Sequence, residues 1–410
     1  MYIAVITIVK MKIETIRLKN FKAFKELELT DLPSLCVFIG ANGTGKSTLF
    51  DVFGFLRDAL SENVKSALQK RGGFSEVRSR GTEGYIEIEL QFRIEIAKKN
   101  RLVTYHLEIG EENNRIFIES EYLRYKRGRY GSPYHFLKFS RGSGYAITNE
   151  EDFDKPDEEL DREDQKLQKS DILAIKGLGQ FERFKAASAF RNFIENWHVS
   201  DFHVSEARSV QDAGHAEHLS SSGDNLALVA QYILETDPEL FNTILKKMRQ
   251  RVPGVSKVEA ETTLDGRIVL RFQDGSFKDP FIARFVSDGT IKMFAYLILL
   301  HDPEPHPLLC IEEPENQLYP TLLNDLLEEF RLYAHRGGQV FVSSHDPDFI
   351  NAAKPEEVFW LVKNEGYTQV RRASDSPEIM ALIAAGDQLG YLWRQGYFKN
   401  SDPQTSALSL

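Results

Sequence analysis

Alternating apolar and polar residues dominate the first part of the chain and predict β-strands. Residues 12–30 alternate with one break, at Asn20, which indicates two strands joined by a bend. Residues 85–94, 102–109 and 115–122 alternate in the same way. Because successive side chains of a strand point to opposite faces, each segment would place one face in a core. We therefore expect an antiparallel β-subdomain in this part of the chain.

The middle of the chain changes to helical spacing. An almost uniformly acidic run at residues 149–164 repels itself and predicts a solvated loop. Apolar residues then recur at helical spacing in residues 181–197 and 225–249, and the second stretch ends near Pro253. We interpret these segments as a helical lid inserted into the core. The sequence has no long heptad repeat, which argues against an extended coiled-coil arm.

Continuous apolar runs predict buried strands. Residues 35–39 are such a run, followed by a glycine-rich turn and the apolar face of a helix. Alternation returns at residues 257–261 and 267–272, and residues 307–311 and 340–342 are again continuously apolar. Buried strands alternating with helices indicate an α/β core.

These changes of pattern divide the chain into three parts. Residues 1–148 form an N-terminal lobe that contains the glycine-rich turn and the β-subdomain. Residues 149–254 form the acidic loop and the helical lid, and residues 255–410 form a C-terminal lobe.

Composition and charge limit the partners of the protein. The 410 residues are 42% hydrophobic and 27% charged, as in soluble globular proteins. The net charge of −10 provides no global basic field, so any contact with DNA requires a local patch. Residues 122–145 offer basic groups interleaved with aromatic ones, which suit phosphates and stacked bases but also suit an exposed hairpin with a mixed face. The basic residues are Arg124, Lys126, Arg127, Arg129, Lys138 and Arg141, and the aromatic ones are Tyr125, Tyr130, Tyr134, Phe136 and Phe139.

Cysteine usage and the absence of long apolar segments predict a cytoplasmic protein. Cys36 and Cys310 both lie in apolar runs and fit small core residues of a reducing compartment. The apolar stretches are far shorter than the ~20 residues that a membrane span needs. Residues 1–9 lack the basic region and the cleavage site of a signal peptide.

The glycine-rich turn is a candidate cradle for phosphates. Its residues fit the pattern G-x-x-x-x-G-K-[ST], in which glycines allow a tight loop whose backbone N–H groups converge on phosphate oxygens. Lys46 supplies a charge to the β- and γ-phosphates of ATP, and Ser47 offers its hydroxyl to Mg²⁺. The helix that follows directs the positive end of its dipole at the same anion. The cradle consists of Gly40, Ala41, Asn42, Gly43, Thr44, Gly45, Lys46, Ser47 and Thr48.

Three further clusters carry candidate chemistry. Glu312 and Glu313 end a buried strand, where ligands of open α/β sheets bind, and paired acids there suit a Mg²⁺ partner and a base for an attacking water. His345 ends another buried strand downstream of the acids. Ser287 and Gly289 lie at the start of an apolar helix and form a second candidate anion site.

The order of these motifs resembles the ABC-type ATPase heads of the RecF, SMC and OLD-like group. It is most similar to compact bacterial AAA-family ATPases without a coiled coil. The opening also resembles RecF-like and SMC-like ATPases through Asn20, Phe21 and Phe24, which makes Met11 the natural start of the core. The resemblance implies a P-loop NTPase head of ABC/RecF type, with an antiparallel β-subdomain and an inserted helical lid.

The resemblance also implies a role for each motif. Residues 40–48 look like Walker A, residues 287–290 like a degenerate signature motif, residues 308–313 like Walker B, residues 314–320 like the D-loop, His345 like the switch histidine and Gln180 like the Q-loop glutamine. Two positions depart from the family pattern. Glu312 stands where the family usually has aspartate, and the signature is Ser-Asp-Gly-Thr where transporters have Ser-Gly-Gly-Gln.

The implied activity is ATP hydrolysis by a homodimer whose two heads close on ATP and Mg²⁺. Glu313 would polarise the water, Lys46 would stabilise the charge on the transferred phosphoryl, and His345 would hold the γ-phosphate. The ATP cycle would drive a DNA-associated activity in repair or phage defence. The alternative is a regulatory scaffold whose ATP state gates a separately encoded nuclease or toxin. The degenerate signature and the RecF-like start argue against a transporter engine.

Overall fold

The alternation at the start of the chain produces two strands with a bend at Asn20. β1 (Lys12–Phe21) and β2 (Phe24–Leu29) pair antiparallel. Asn20 adopts a positive φ of 56°, which asparagine tolerates better than most residues. Its side-chain amide donates hydrogen bonds to the carbonyls of Glu83 and Tyr85. The predicted bend is therefore confirmed, and a buried side chain holds it in place.

The computed structural model describes residues 11–96, 99–125, 134–148 and 161–399. Most of the acidic run and the predicted contacts of Lys126, Arg127 and Arg129 lie outside these residues. The further strands are β3 (Leu35–Ile39), β4 (Ile86–Ile96), β5 (Lys99–Glu112), β6 (Arg115–Tyr125), β7 (Tyr134–Ser140), β8 (Ser143–Ile147), β9 (Arg162–Lys166), β10 (His198–Val199), β11 (Gln211–Asp212), β12 (Val255–Thr262), β13 (Arg267–Asp274), β14 (Phe281–Ile282), β15 (Leu308–Glu312), β16 (Gln339–Ser344), β17 (Val358–Asn364) and β18 (Tyr367–Arg372).

Helices follow or separate these strands. They are α1 (Lys46–Ser61), α2 (Val64–Gln69), α3 (Phe74–Val77), α4 (Ala174–Leu178), α5 (Lys185–Glu195), α6 (Val204–Ala207), α7 (Leu226–Thr236), α8 (Pro238–Arg251), α9 (Asp288–Leu300), α10 (Leu323–His335), α11 (Pro347–Asn351), α12 (Pro377–Ala384) and α13 (Leu389–Arg394). The chain divides into two compact units, the first from residues 1–197, 355–386 and 395–410, and the second from residues 198–354 and 387–394.

The first unit contains the antiparallel β-subdomain. Eight strands pair in the order β2-β1-β4-β5-β6-β7-β8-β9. Every second residue of β4, from Ile86 to Ile94, is buried, as the alternation predicts. Helix α5 covers this face, because the ring of Phe190 stacks on Phe92 at a centroid distance of 4.5 Å. The helix expected within residues 181–197 therefore packs on the β-subdomain.

A second group of strands in the first unit positions the glycine-rich turn. β3 pairs parallel with β17, which pairs antiparallel with β18. All five residues of β3 are buried, as expected for a strand covered on both faces. The turn at residues 40–45 connects the carboxyl end of β3 to the start of α1.

The second unit contains a parallel group of strands and a fully buried helix. β15 pairs parallel with β10 and with β16. Residues 308–311 are buried, and Glu312 emerges at the carboxyl end of β15 as an exposed residue. Helix α9 is buried from Thr290 to Leu300. An antiparallel sheet of β11, β13 and β12, with β14 paired to β13, completes the strands of this unit.

The helical stretch at residues 225–249 is two helices rather than one. α7 ends at Thr236, Asp237 accepts a hydrogen bond from the Leu240 N–H, and Pro238 occupies the first turn of α8. Proline cannot donate the backbone hydrogen bond of a helix interior and is favoured in a first turn. Pro238 therefore starts a second helix, although the apolar periodicity continues across it.

Four aromatic residues of the basic segment belong to the core. Tyr125, Tyr134, Phe136 and Phe139 are each no more than 3% exposed. Their rings pack against one another, as between Tyr134 and Phe136 at 5.0 Å. These four rings are not available to stack on bases, so the expectation of an aromatic stacking surface is wrong for them.

The two cysteines are buried, and the described helices are shorter than a membrane span. Cys36 and Cys310 are buried free cysteines, and burial raises the pKa of the Cys36 thiol. Both thiols are core residues, as predicted. Among the described residues, no helix is long and apolar enough to cross a membrane.

Candidate nucleotide-binding site

The glycine-rich turn has the backbone geometry that its glycines predict. Gly43 and Gly45 have positive φ values of 77° and 100°. A Cβ on Gly45 would lie 2.9 Å from Thr368 Oγ1, and one on Gly40 would lie 2.5 Å from Thr44 Oγ1. Both distances are shorter than an ordinary van der Waals contact. Glycine is therefore required at Gly45 by conformation and by space.

Lys46 lies folded along the loop. Its Nζ donates to the carbonyl oxygen of Gly40 at 2.6 Å and to that of Ala41 at 3.3 Å. The residue is 7% exposed, so its stem packs in the core while the ammonium faces the loop carbonyls. This arrangement keeps the positive charge of Lys46 against the backbone of the turn.

The start of α1 is suited to an anion. The N-cap residue is Gly45, which has no side chain to cap the helix, and no acid occupies the first turn. The first backbone N–H groups of a helix lack intrahelical partners and carry a partial positive charge. Ser47 is exposed at this end of the helix.

A residue far along the chain fixes the turn. Thr368, in β18, donates from Oγ1 to the Thr44 carbonyl at 2.7 Å, and its own N–H donates to the Ala23 carbonyl at 2.8 Å. Thr368 is 1% exposed. Sequence reasoning missed this contact, because 324 positions separate the partners and nothing local marks the threonine.

The paired acids lie at the carboxyl end of β15 in the second unit. Glu313 has a positive φ of 44°, which is uncommon outside glycine and ends the strand sharply. Its N–H donates to the Ser343 carbonyl at 2.9 Å. Its Oε2 accepts from Asn316 Nδ2 at 2.9 Å, and its Oε1 lies 3.2 Å from His345 Nδ1. The structure therefore brings Glu313 and His345 together, whereas Glu312 is exposed and opposite Ser343 of β16 in the strand register.

Glu315 is a third acid, which sequence reasoning passed over. It is 6% exposed and accepts hydrogen bonds from Ser344 Oγ at 2.6 Å and from the His345 N–H at 3.1 Å. Burial raises the pKa of Glu315, although these hydrogen bonds oppose the rise. The residue fixes the backbone at His345. The only hint in the sequence that Glu315 belongs to this cluster is its position three residues after Glu312.

The signature segment packs against the residues that follow the acids. Ser287 caps α9 by accepting from the Thr290 N–H at 3.3 Å. A Cβ on Gly289 would lie 2.5 Å from the Gln317 carbonyl oxygen, so the two backbones approach closely. Asp288 forms an ion pair with Arg208 at 2.6 Å and accepts from Gln317 Nε2 at 3.2 Å. The predicted signature and D-loop segments are thus in direct contact.

Lys292 joins the signature helix to the same segment. It is 6% exposed, and its Nζ donates to the Asn316 carbonyl at 2.8 Å and to the Glu313 carbonyl at 3.3 Å. Burial lowers the pKa of Lys292 to about 8, and the nearby carboxylates of Glu315 and Glu313 only partly offset this. A lone lysine among the apolar residues of α9 was the sequence signal for a buried cation.

Gln180 has a local role in the structure. It is exposed in the first unit, and its Nε2 donates to the Lys176 carbonyl of α4 at 3.3 Å. This bond caps the end of a short helix.

The cradle lies in the first unit, whereas the acids, His345 and the signature lie in the second.

Comparison with known proteins places the chain in a family. The family described as "AAA domain, putative AbiEii toxin, Type IV TA system" matches residues 35–351, which is more than half of the chain. The DNA replication and repair protein RecF of Lactococcus lactis subsp. cremoris (strain MG1363) is 27% identical over 146 residues, which is 33% of this chain and 40% of that protein. RecF of Corynebacterium jeikeium (strain K411) is 36% identical over 64 residues, 15% of each chain. The chain therefore matches less than half the length of these curated relatives.

Solved structures share the fold. The SmcHead bound to the C-winged helix domain of ScpA has a TM-score of 0.54 and 14% identity, covering 88% of this chain and 96% of that one. The Smc head domain from Pyrococcus furiosus, with an extended coiled coil and bound to the C-terminal domain of ScpA, has a TM-score of 0.50 and 13% identity, covering 91% and 100%. The likeness concerns the fold alone. The chain belongs to this AAA domain family, and it is a compact RecF- and SMC-like P-loop ATPase head of ABC type.

Proposed function

We propose that this protein binds and hydrolyses ATP as a head-to-head dimer and that the cycle serves an activity on or near DNA. The observation that carries the proposal is the cradle at residues 40–48. Its positive-φ glycines, the lysine held on its loop carbonyls and the glycine N-cap of α1 together fit a triphosphate.

Two residues have the chemistry of Mg²⁺ ligands. Ser47 and Glu312 are exposed and offer a hydroxyl and a carboxylate oxygen, which are ligands that this hard cation prefers. We assign both residues to the metal. When bound, Mg²⁺ would neutralise charge on the phosphates during transfer. The longer arm of Glu312, where the family usually has aspartate, remains compatible with this assignment because its side chain is not packed in the core.

Glu313 is the residue that we assign to the attacking water. Asn316 and His345 contact different oxygens of its carboxylate and so restrict its orientation. An oriented carboxylate can accept a hydrogen bond from water and align it for attack. Lys46 would stabilise charge on the transferred phosphoryl, and His345, held through its backbone by Glu315, would contact the γ-phosphate.

The dimer follows from the signature motif. In ABC-type heads, the signature of one subunit completes the site of the other. Ser287 and Gly289 stand at the start of α9, where Ser287 caps the helix and Asp288 is held by Arg208. We therefore assign both residues to the ATP held by a partner subunit. In this arrangement, hydrolysis requires two copies of the chain.

The biological role rests on the relatives. The RecF proteins are named for DNA replication and repair, and the family description refers to a toxin of a toxin–antitoxin system. The first name supports an activity on DNA in repair, whereas phage defence is our own proposal. The family description equally favours the alternative, in which the ATP state of this chain gates a separately encoded nuclease or toxin.

Calorimetry of nucleotide binding tests the assignment of the cradle. Lys46→Ala removes the charge that faces the phosphates, so we expect a severe loss of ATP affinity. Lys65→Ala is the matched control, because Lys65 is an exposed lysine of α2 in the same unit. Undiminished ATP affinity in Lys46→Ala, or an equal loss in both variants, would contradict the proposal.

A further inference from the structure

Two histidines and an aspartate converge in the second unit, away from the acids described above. His218 lies in the loop before α7, and Asp302 and His306 lie in the connection between α9 and β15. One ligand atom from each residue lies within 4.8 Å of the other two. His218 Nδ1 and Asp302 Oδ2 are 2.6 Å apart. Side chains from distant parts of the sequence thus share one small volume.

The surroundings hold the carboxylate of Asp302 in a fixed orientation. Its Oδ1 accepts from the Glu304 N–H at 2.9 Å, which leaves Oδ2 directed at His218. Arg336 donates to the Asp302 main-chain carbonyl at 2.9 Å and anchors this connection to the end of α10. Asp302 is 5% exposed. A buried carboxylate oriented by a second hydrogen bond is characteristic of metal ligands.

The two histidines are also held in place. The ring of His306 contacts the rings of His198 and His218, at centroid distances of 5.0 Å and 5.6 Å. Tyr333 donates from its hydroxyl to the His306 carbonyl at 3.2 Å. The loop that carries His218 is closed by Asn225, whose Nδ2 donates to the His218 carbonyl at 2.9 Å. Each candidate ligand therefore has support from a neighbouring residue.

We propose that His218, Asp302 and His306 form a binding site for a divalent transition metal, Zn²⁺ in the first instance. Two imidazole nitrogens and one carboxylate oxygen are a ligand set that Zn²⁺ takes, with water as the fourth ligand. Imidazole favours Zn²⁺ over Mg²⁺, which prefers oxygen ligands. The site thus differs in metal preference from Ser47 and Glu312.

Binding would replace the contact between His218 and Asp302. In a tetrahedral site with bonds of about 2.0–2.1 Å, ligand atoms lie about 3.3 Å apart, which is longer than a hydrogen bond. The metal would therefore separate these two side chains slightly while drawing His306 closer. His218 is the adaptable ligand, because its side chain is 42% exposed whereas Asp302 is buried.

The position of the site indicates a structural role. It lies before the amino end of β15, whereas Glu312 and Glu313 lie at the carboxyl end. The five residues of β15 span about 13 Å at the rise of a strand. A metal here would cross-link the loop before α7 to the connection that leads into β15. It would stabilise this unit and take no direct part in hydrolysis.

The test is calorimetric titration of Zn²⁺ into the full chain after treatment with EDTA. We expect one site per chain, with affinity reduced by a factor of ~10–100 or more in His218→Ala and His306→Ala. His215→Ala is the matched control, because His215 lies in the same loop, is exposed and contacts Glu217 instead. Substitution by Co²⁺ should give the visible absorption of a tetrahedral centre in the chain and in His215→Ala.

Thermal unfolding keeps the test decisive if a variant folds poorly. A metal that binds only the folded state raises its stability. Zn²⁺ should therefore raise the melting temperature of the unaltered chain and of His215→Ala, and EDTA should reverse the rise. The proposal is overturned if the unaltered chain binds no Zn²⁺, or if the variants at His218 and His306 bind it as tightly as His215→Ala does. The three residues would then be a simple ion-paired cluster.

Discussion

The hydrogen bond from Thr368 to the phosphate cradle leads to a quantitative prediction. Thr368→Val keeps a β-branched side chain in β18 but removes the donor to the Thr44 carbonyl at 2.7 Å. The net contribution of one such hydrogen bond is about 0.5–1.5 kcal/mol. If the bond organises the loop, the loss appears in nucleotide affinity, because ATP must then order the loop as it binds.

The expected loss of affinity follows from this range. A change of about 0.5–1.5 kcal/mol corresponds to a weakening of about two- to thirteen-fold in Kd. Calorimetry with a non-hydrolysable ATP analogue and Mg²⁺ measures it without interference from turnover. Thr368→Ser should bind nearly as the unaltered chain does, because it retains the hydroxyl.

A matched control separates the loop from general stability. Thr15 is a buried threonine in β1 of the same unit, and Thr15→Val should leave affinity unchanged. The reasoning is refuted if Thr368→Val lowers the melting temperature but binds the analogue as tightly as the unaltered chain. That result would make Thr368 a packing residue only.

Two further predictions concern the second unit. Glu313→Gln should retain ATP binding but slow hydrolysis by a factor of ~10²–10⁴, because an amide cannot act as a base toward the attacking water. If Glu312→Gln hydrolyses ATP slowly while Glu313→Gln keeps full activity, the two assignments are reversed. The pKa of Lys292 is lowered from 10.5 to about 8, so the unfolded chain binds more protons than the folded chain between these pH values. The free energy of unfolding should therefore rise with pH through this window, by about 3 kcal/mol in all. Melting curves of the chain and of Lys292→Met test this, and parallel pH profiles would contradict it.

The sequence predicts those parts of the site whose signals are local. The strand, turn and helix at residues 35–48 are contiguous, so the pattern alone places the cradle at the end of a buried strand. Glu312 and Glu313 are predicted for the same reason. Thr368 is not, because its contact with Thr44 depends on β18 reaching the cradle from another part of the chain.

The burial of the β7 aromatic residues and of Lys292 was not predicted, although the sequence contains a pattern that indicates each. In β7, Tyr134 and Phe136 occupy alternate positions, which places both on one face and favours a core over a stacking surface. Lys292 is the only charged residue from Ile291 to Leu300, and a lone charge on an apolar helix requires a partner. Its partners are carbonyls of residues 313 and 316, which no sequence pattern identifies.

The central claim is that each active site requires two copies of the chain, and a mixing experiment tests it most directly. Lys46→Ala lacks a working cradle, and Ser287→Arg lacks a working signature, so neither protein alone should hydrolyse ATP. A mixed dimer retains one site with an intact cradle and an intact signature, so mixing the two should restore part of the activity. The specific activity of the unaltered chain should also fall on dilution. No rescue on mixing, with specific activity constant well below the dissociation constant of the dimer, would contradict the account.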